Sequence, residues 1–190
     1  AYMVDKKTIY VKLNRFSATS MREFYTAVQI YKAQGAENII LDLTNNGGGY
    51  LNTAIDLADE FIESGQMVVY TEGLNTDRDE SKATSRGLFG EGKVVIMIDE
   101  GSASASEFVS GAVQDWDRGV IVGRRSFGKG LVQKPFDLPD GSVIRLTVAR
   151  YHTPTGRVIQ KPYENGVKEY HKDLINRYDN GELMHEDSIY

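Results

Sequence analysis

The sequence contains no cysteine. That removes disulfides, thiolate nucleophiles and thiolate zinc sites together. It suits the cytosol, and equally a secreted enzyme that folds without staples. Histidine is scarce as well. His152, His171 and His185 are the three present, and none stands in a His-Glu-x-x-His pattern or beside a carboxylate cluster of metal-ligand spacing. The residues therefore call for no metal and no cofactor. Positive charge is not in excess: the net charge is −5 and there is no basic run. Nothing electrostatic thus argues for nucleic acid or an anionic membrane as partner. No apolar run approaches the ~20 residues of a membrane span. No signal peptide opens the chain. Because Ala1-Tyr2-Met3-Val4 starts so close to a strand, a longer parent with its targeting segment removed is expected.

What is present is an ordinary globular composition, 41% apolar and 26% charged over 190 residues, enough for one domain with or without an appendage. Short apolar β-rich runs predict strands at Ile9–Leu13, Asn38–Leu43, Met67–Tyr70, Lys93–Ile98 and Gly119–Val122. Helical spacing predicts helices over Ser20–Gln34, from Leu51 to Ile62, and over Ser104–Trp116. The polar, glycine-spotted stretch Thr71–Gly92 reads as a long loop or flap. This alternation predicts an α/β layered domain with mainly parallel strands. Leu131–Leu138, the turn Pro139-Asp140-Gly141 and Ser142–Tyr151 then read as a β-hairpin. Residues 161–190 are charged and poor in aliphatics, and read as an appendage to a 1–160 core.

Three segments could carry chemistry. Asn45-Asn46-Gly47-Gly48-Gly49 joins a strand to a helix. Its glycines permit close backbone approaches, and amides at the helix mouth can hold an oxyanion or phosphate; a plain tight turn is the alternative. Asp99 to Glu107 also joins a buried strand to a helix, through small residues that let a substrate reach the backbone. A serine there gains from the helix dipole, and the amide after it can donate to a tetrahedral oxyanion. The alternative is again structural, since Ser104-x-x-Glu107 is a capping box.

The third segment runs from Gly123 to Gly130 and mimics a phosphate-binding loop, Gly-x4-Gly-Lys, but Gly130 stands where Ser or Thr must hold magnesium. Ser126-x-x-Lys129 also matches the Ser-x-x-Lys of penicillin-binding enzymes, without their Lys-Thr-Gly partner. What remains is Lys129, flanked by glycines. It is a solvated surface charge, or a usable base if burial lowers its proton affinity. On a strand, Gln133 would face the same side and could orient it.

Together these stretches closely resemble the carboxy-terminal processing peptidases, or tail-specific proteases. The matching segments are Leu-Asp-Leu-Thr-Asn-Asn-Gly-Gly-Gly (41–49), Gly-Ser-Ala-Ser-Ala-Ser-Glu (101–107), Gly-x-x-Ser-Phe-Gly-Lys-Gly-Leu-Val-Gln (123–133) and Tyr-His-Thr-Pro-Thr-Gly-Arg-Val-Ile-Gln (151–160). The resemblance implies a crotonase-like core, as in the Clp protease, and a Ser-Lys endopeptidase acting on protein or peptide substrates. It makes Ser104 the nucleophile, Lys129 the base and Gln133 its orienting partner. Ala105 and either Gly48 or Gly49 supply the oxyanion hole, and Asp115 is a supporting acid. It further implies a periplasmic or cell-envelope setting and leaves open a homo-oligomer. Two departures stand out. Thr44 occupies a position where many members have arginine, and no segment resembles the family's tail-capturing PDZ domain. A non-catalytic binding or scaffold core of the same fold is the rival reading.

Overall fold

A computed structural model describes residues 1–84, 87–163 and 166–184, so His185 lies outside the described residues. In chain order the elements are β1 (Tyr2–Met3), β2 (Thr8–Lys12), α1 (Ser20–Lys32), β3 (Asn38–Asp42), α2 (Leu51–Asp59), β4 (Met67–Gly73), β5 (Thr76–Lys82), β6 (Val94–Ile98), α3 (Ala105–Asp115), β7 (Val120–Gly123), β8 (Leu131–Asp137), β9 (Val143–His152) and α4 (Gly166–Asp179). They fall into two compact units, Ala1–Gln160 and Lys161–Tyr190. Among the described residues no helix is long and apolar enough to cross a membrane.

The first unit holds two sheets. One has the order β1-β2-β3-β6-β7 and is parallel except for the β1–β2 pair. Its interior follows from the period-two apolar pattern. Ile9, Ile39 and Val94 stand in register across three strands, as do Val11, Leu41 and Ile96. All six are at most 6% exposed, each contributing roughly 1.5–3 kcal/mol of burial. Helices α1 and α2 close on this core through Phe24, Val28, Ala54, Leu57 and Ala58. Helix α3 is buried on nearly every face, from Ala105 to Val113.

The second sheet, β5-β4-β9-β8, is antiparallel throughout. Here two expectations fail. Strand β4 does not join the parallel sheet; it pairs with β5 and β9. Thr71–Gly92 is not one long loop, because Thr76–Lys82 forms β5 behind a two-residue turn. Its sequence, Thr-Asp-Arg-Asp-Glu-Ser-Lys, is almost wholly exposed. An edge strand of this kind is held by backbone ladders and protected by charge, so it shows no apolar alternation. The 131–151 hairpin forms as β8 and β9.

The second unit contains α4, where the sequence suggested no element. Tyr163 and Tyr170 stack with ring centroids 4.3 Å apart, and Lys161 Nζ lies 4.2 Å from the Tyr170 ring.

Candidate active site

Two strand-to-helix turns meet at the carboxyl ends of β3 and β6, and buried polar groups stitch them together. Asn46 is fully buried. Its Nδ2 donates to the Leu13 carbonyl at 2.7 Å and its Oδ1 accepts from the Gly48 N–H at 2.9 Å. Its own carbonyl accepts from the Ala103 N–H at 3.0 Å and from Ser106 Oγ at 2.8 Å. Asp99 Oδ1 accepts from the Asn45 and Gly101 amides at 2.8 and 3.0 Å, and Ser102 Oγ donates to the Leu43 carbonyl at 2.8 Å. Buried donors and acceptors left unpaired would each cost about 1–3 kcal/mol, so this network fixes one turn against the other. Lys12 adds the cation that Thr44 cannot supply. Its Nζ donates to Asp42 Oδ1 at 3.0 Å and to the Thr44 carbonyl at 2.6 Å. Burial pushes the Asp42 carboxyl up, and hydrogen bonds from Tyr10, Thr44 and Lys12 outweigh it, holding the group below the usual range. The same Tyr10–Asp42 bond is the chief reason the Tyr10 hydroxyl is pushed up to about 12.

Ser104 starts α3 with φ 57° and ψ −111°, a backbone region that side-chain-bearing residues rarely occupy. The turn is tight because Gly48 lies directly against it. A Cβ on Gly48 would fall 2.7 Å from the Ala103 carbonyl oxygen and 2.9 Å from the Ala105 nitrogen and the Ser104 Cβ. Ser104 occupies the N-cap position, and its N–H donates to Glu107 Oε2 at 2.7 Å.

Glu107 does more than cap. It is 6% exposed. Its Oε2 also accepts from the Lys129 N–H at 2.8 Å, and its Oε1 accepts from the Gly128 N–H at 2.6 Å and Ser126 Oγ at 2.7 Å. One buried carboxylate thus holds the serine turn and the lysine loop together. Ser126, half of the penicillin-binding-enzyme mimic, is absorbed in this anchor. Gly130 closes the other side of the loop. Its N–H donates to Gln160 Oε1 at 3.0 Å, and a Cβ there would lie 2.6 Å from the Gln160 nitrogen.

A cavity of about 300 Å³ opens beside Ser104. Gly49 and Ser104 line it, with Leu51, Phe108, Leu131 and Tyr151 as apolar walls and Gln133 and Arg145 from the hairpin. The Ala105 and Gly49 N–H groups have no acceptor among the described residues, whereas the Gly48 N–H is engaged by Asn46. Lys129 differs from expectation in two respects. It precedes β8, which begins at Leu131, so strand alternation does not pair it with Gln133. Its side chain is exposed, and Nζ makes no hydrogen bond or ion pair among the described residues. The Glu107 and Gln160 anchors hold the flanking backbone inward and leave the side chain in solvent. Gln133 is exposed too. His152 is engaged elsewhere, stacked on Tyr70 at 4.6 Å.

Asp115 ends α3 and clamps the 153–157 turn. Its Oδ2 accepts from the Thr155 N–H at 2.9 Å and Oγ1 at 2.6 Å, and Oδ1 takes Arg157. Burial raises the carboxyl, and its hydrogen-bonding neighbours more than offset that, so it lies below the usual range. Thr153 Oγ1 has no partner in hydrogen-bonding geometry, so Thr155 and Arg157 account for the lowering.

The profile of peptidase family S41 matches residues 7–169. The chain belongs to peptidase family S41. The S41 chain is 37% identical over 156 residues to a carboxyl-terminal-processing protease of Picosynechococcus sp., covering 82% of this chain and 37% of that protein. It is 40% identical over 153 residues to a carboxyl-terminal-processing protease of Synechocystis sp., covering 80% and 35%. Among solved structures it is similar to a photosystem II D1 C-terminal processing protease, with a TM-score of 0.76 and 35% identity over 80% of this chain and 39% of that one. The S41 chain thus spans little more than a third of the length of these relatives.

Proposed function

We propose that this S41 chain carries the catalytic part of a serine endopeptidase of the C-terminal processing type, with a crotonase-like core in residues 1–160. It cleaves protein or peptide substrates through an acyl-enzyme on Ser104. The observation that carries this reading is the strained Ser104 backbone at a helix start, beside a cavity walled in part by Leu51, Phe108 and Leu131 and two amides without acceptors. Strain of that kind persists where surrounding structure enforces it, and it clusters at reactive sites. In the reaction, Lys129 takes the Ser104 proton as Oγ attacks the peptide carbonyl. The Ala105 and Gly49 amides stabilise the oxyanion. Gly49 is preferred to Gly48 because the Gly48 N–H is already engaged. Lys129 then returns the proton to the leaving amine, and water hydrolyses the ester. Gln133 orients Lys129 and Asp115 supports the helix.

A lysine base has to shed solvent, since water stabilises its charged form. With Lys129 exposed, bound substrate completes the site, as catalytic contacts commonly tighten only in the complex. The same reading sets the protein in the periplasm or cell envelope. Cleavage of an unstructured, tailed substrate by the full-length protein is expected to vanish in Ser104→Ala and in Lys129→Ala. Equal cleavage by all three proteins would remove the assignment. Family membership disfavours the non-catalytic scaffold reading.

A further inference from the structure

Arg145 is the one charged residue among the described residues lining the cavity beside Ser104. It sits on β9 directly opposite Pro135 of β8, so the two side chains share a face, the face that brings Leu131 and Gln133 to the same cavity. Arg118 is occupied by the carbonyls of Phe61, Phe89 and Gly92, Arg124 by Glu100 and Arg157 by Asp115, whereas Arg15, Arg22 and Arg150 also lack a side-chain partner among the described residues but do not line this cavity. Arg145 is exposed, and its guanidinium makes no hydrogen bond or ion pair among the described residues. Asp137, two residues beyond Pro135 on the same face, does not bridge it. A free planar fork beside a pocket with apolar side chains on one wall matches a carboxylate bidentately.

We propose that Arg145 is a specificity-determining residue that recognises a carboxylate of the bound peptide while an apolar side chain of that peptide fills the cavity. The inference rests on the peptidase reading of Ser104. The cavity's 300 Å³ corresponds to roughly ten waters at about 30 Å³ each, room for one apolar side chain. Pro135 stands two residues beyond Gln133, about 7 Å along the strand. The carboxylate therefore lies within about two or three residues of the apolar one in an extended peptide. An acidic side chain and a free C-terminus share this chemistry.

The experiment compares the full-length wild type with Arg145→Gln and Arg145→Glu on peptides sharing one apolar anchor. Each of the three positions on either side carries Glu, Gln or Lys in turn, and the end is a free acid or an amide. In wild type, one position or the free end is expected to raise kcat/KM about 5- to 10-fold over its neutral counterpart. A Glu/Gln difference identifies a side chain, and an acid/amide difference identifies the chain end. The ratio is expected to fall to about one in Arg145→Gln, and to shrink in wild type as salt rises from about 0.1 M to 1 M and screening shortens from ~10 to ~3 Å. For a side-chain carboxylate, Arg145→Glu is expected to favour Lys over Glu there, and for a chain end to favour amide over acid; misfolding cannot mimic either reversal. Ratios near one throughout in wild type, or a ratio that survives Arg145→Gln, overturn the role of Arg145. If cleavage still depends on Ser104, the peptidase reading stands. Wild-type cleavage no greater than that of Ser104→Ala overturns both.

Discussion

Glu107 is where a single side chain does most to shape the site. Its two oxygens accept from four donors, and those donors belong to the serine turn and the lysine loop. Truncation to alanine strands three buried or half-buried amides and a hydroxyl. A glutamine is less disruptive, because its oxygen can keep the Ser104 and Lys129 amides. Its NH2 can then donate to Ser126 Oγ, which leaves only the Gly128 amide unmatched. Misplacing reacting groups by about 1 Å costs roughly 10²-fold in rate, and one lost charge-assisted bond about 1.5–3 kcal/mol of stability. Glu107→Ala is therefore expected to lower kcat by about 10²-fold or more with KM little changed, and Glu107→Gln by about 10-fold. Steady-state kinetics on one peptide would check the ranking; indistinguishable variants would show that the carboxylate does not couple the two segments. In the sequence Glu107 is visible only as a cap partner. Its second role depends on residues from Ser126 to Lys129 that only the fold brings to it. The available signal was a carboxylate at the head of a helix otherwise built of small and apolar residues, where a buried charge must be paired.

At the scale of elements, most of the parallel sheet was legible because buried strands announce themselves as short apolar runs, as Asn38–Leu43 and Lys93–Ile98 do. Pairing partners were not, since the composition of Met67–Tyr70 is the same whether it joins a parallel or an antiparallel neighbour. Strand β5 was missed because charge on an exposed edge carries no period. The Gly-rich turn was legible as a close approach but not in its cause, which is Gly48 lying against Ser104. Gly48→Ala adds a Cβ where the backbone leaves no room and φ is +94°. It is expected to lose most peptidase activity while thermal unfolding shifts by only a few degrees; full activity would mean the turn can relax. Asp115 makes the stability prediction. A carboxyl held lower in the folded than in the unfolded chain stabilises the fold while ionised. That contribution is complete above the unfolded value of about 3.9 and is lost as pH falls through the folded value. Asp115→Ala is expected to cost about 2 kcal/mol near neutral pH. The gap from wild type in urea midpoint is expected to narrow below about pH 4; a constant gap would assign the loss to packing.

For the molecule as a whole, the serine, the free amides and the cavity beside them are in place, yet Lys129 stands in solvent. The chain spans about a third of its relatives' length; bound substrate is one source of cover for the lysine, and segments of the kind those relatives carry outside the matched region are the other. These differ in kinetics. The pH dependence of kcat/KM reports the free enzyme, and that of kcat reports the enzyme–substrate complex. A base that loses water only when a peptide fills the cavity becomes easier to deprotonate in the complex, because removing water disfavours the ammonium form. The rising limb of kcat is then expected at lower pH than that of kcat/KM when both are measured on the full-length protein. Coincident limbs at near-neutral pH would mean that the lysine is already covered before substrate arrives, and would transfer the desolvating role from the peptide to the rest of the protein.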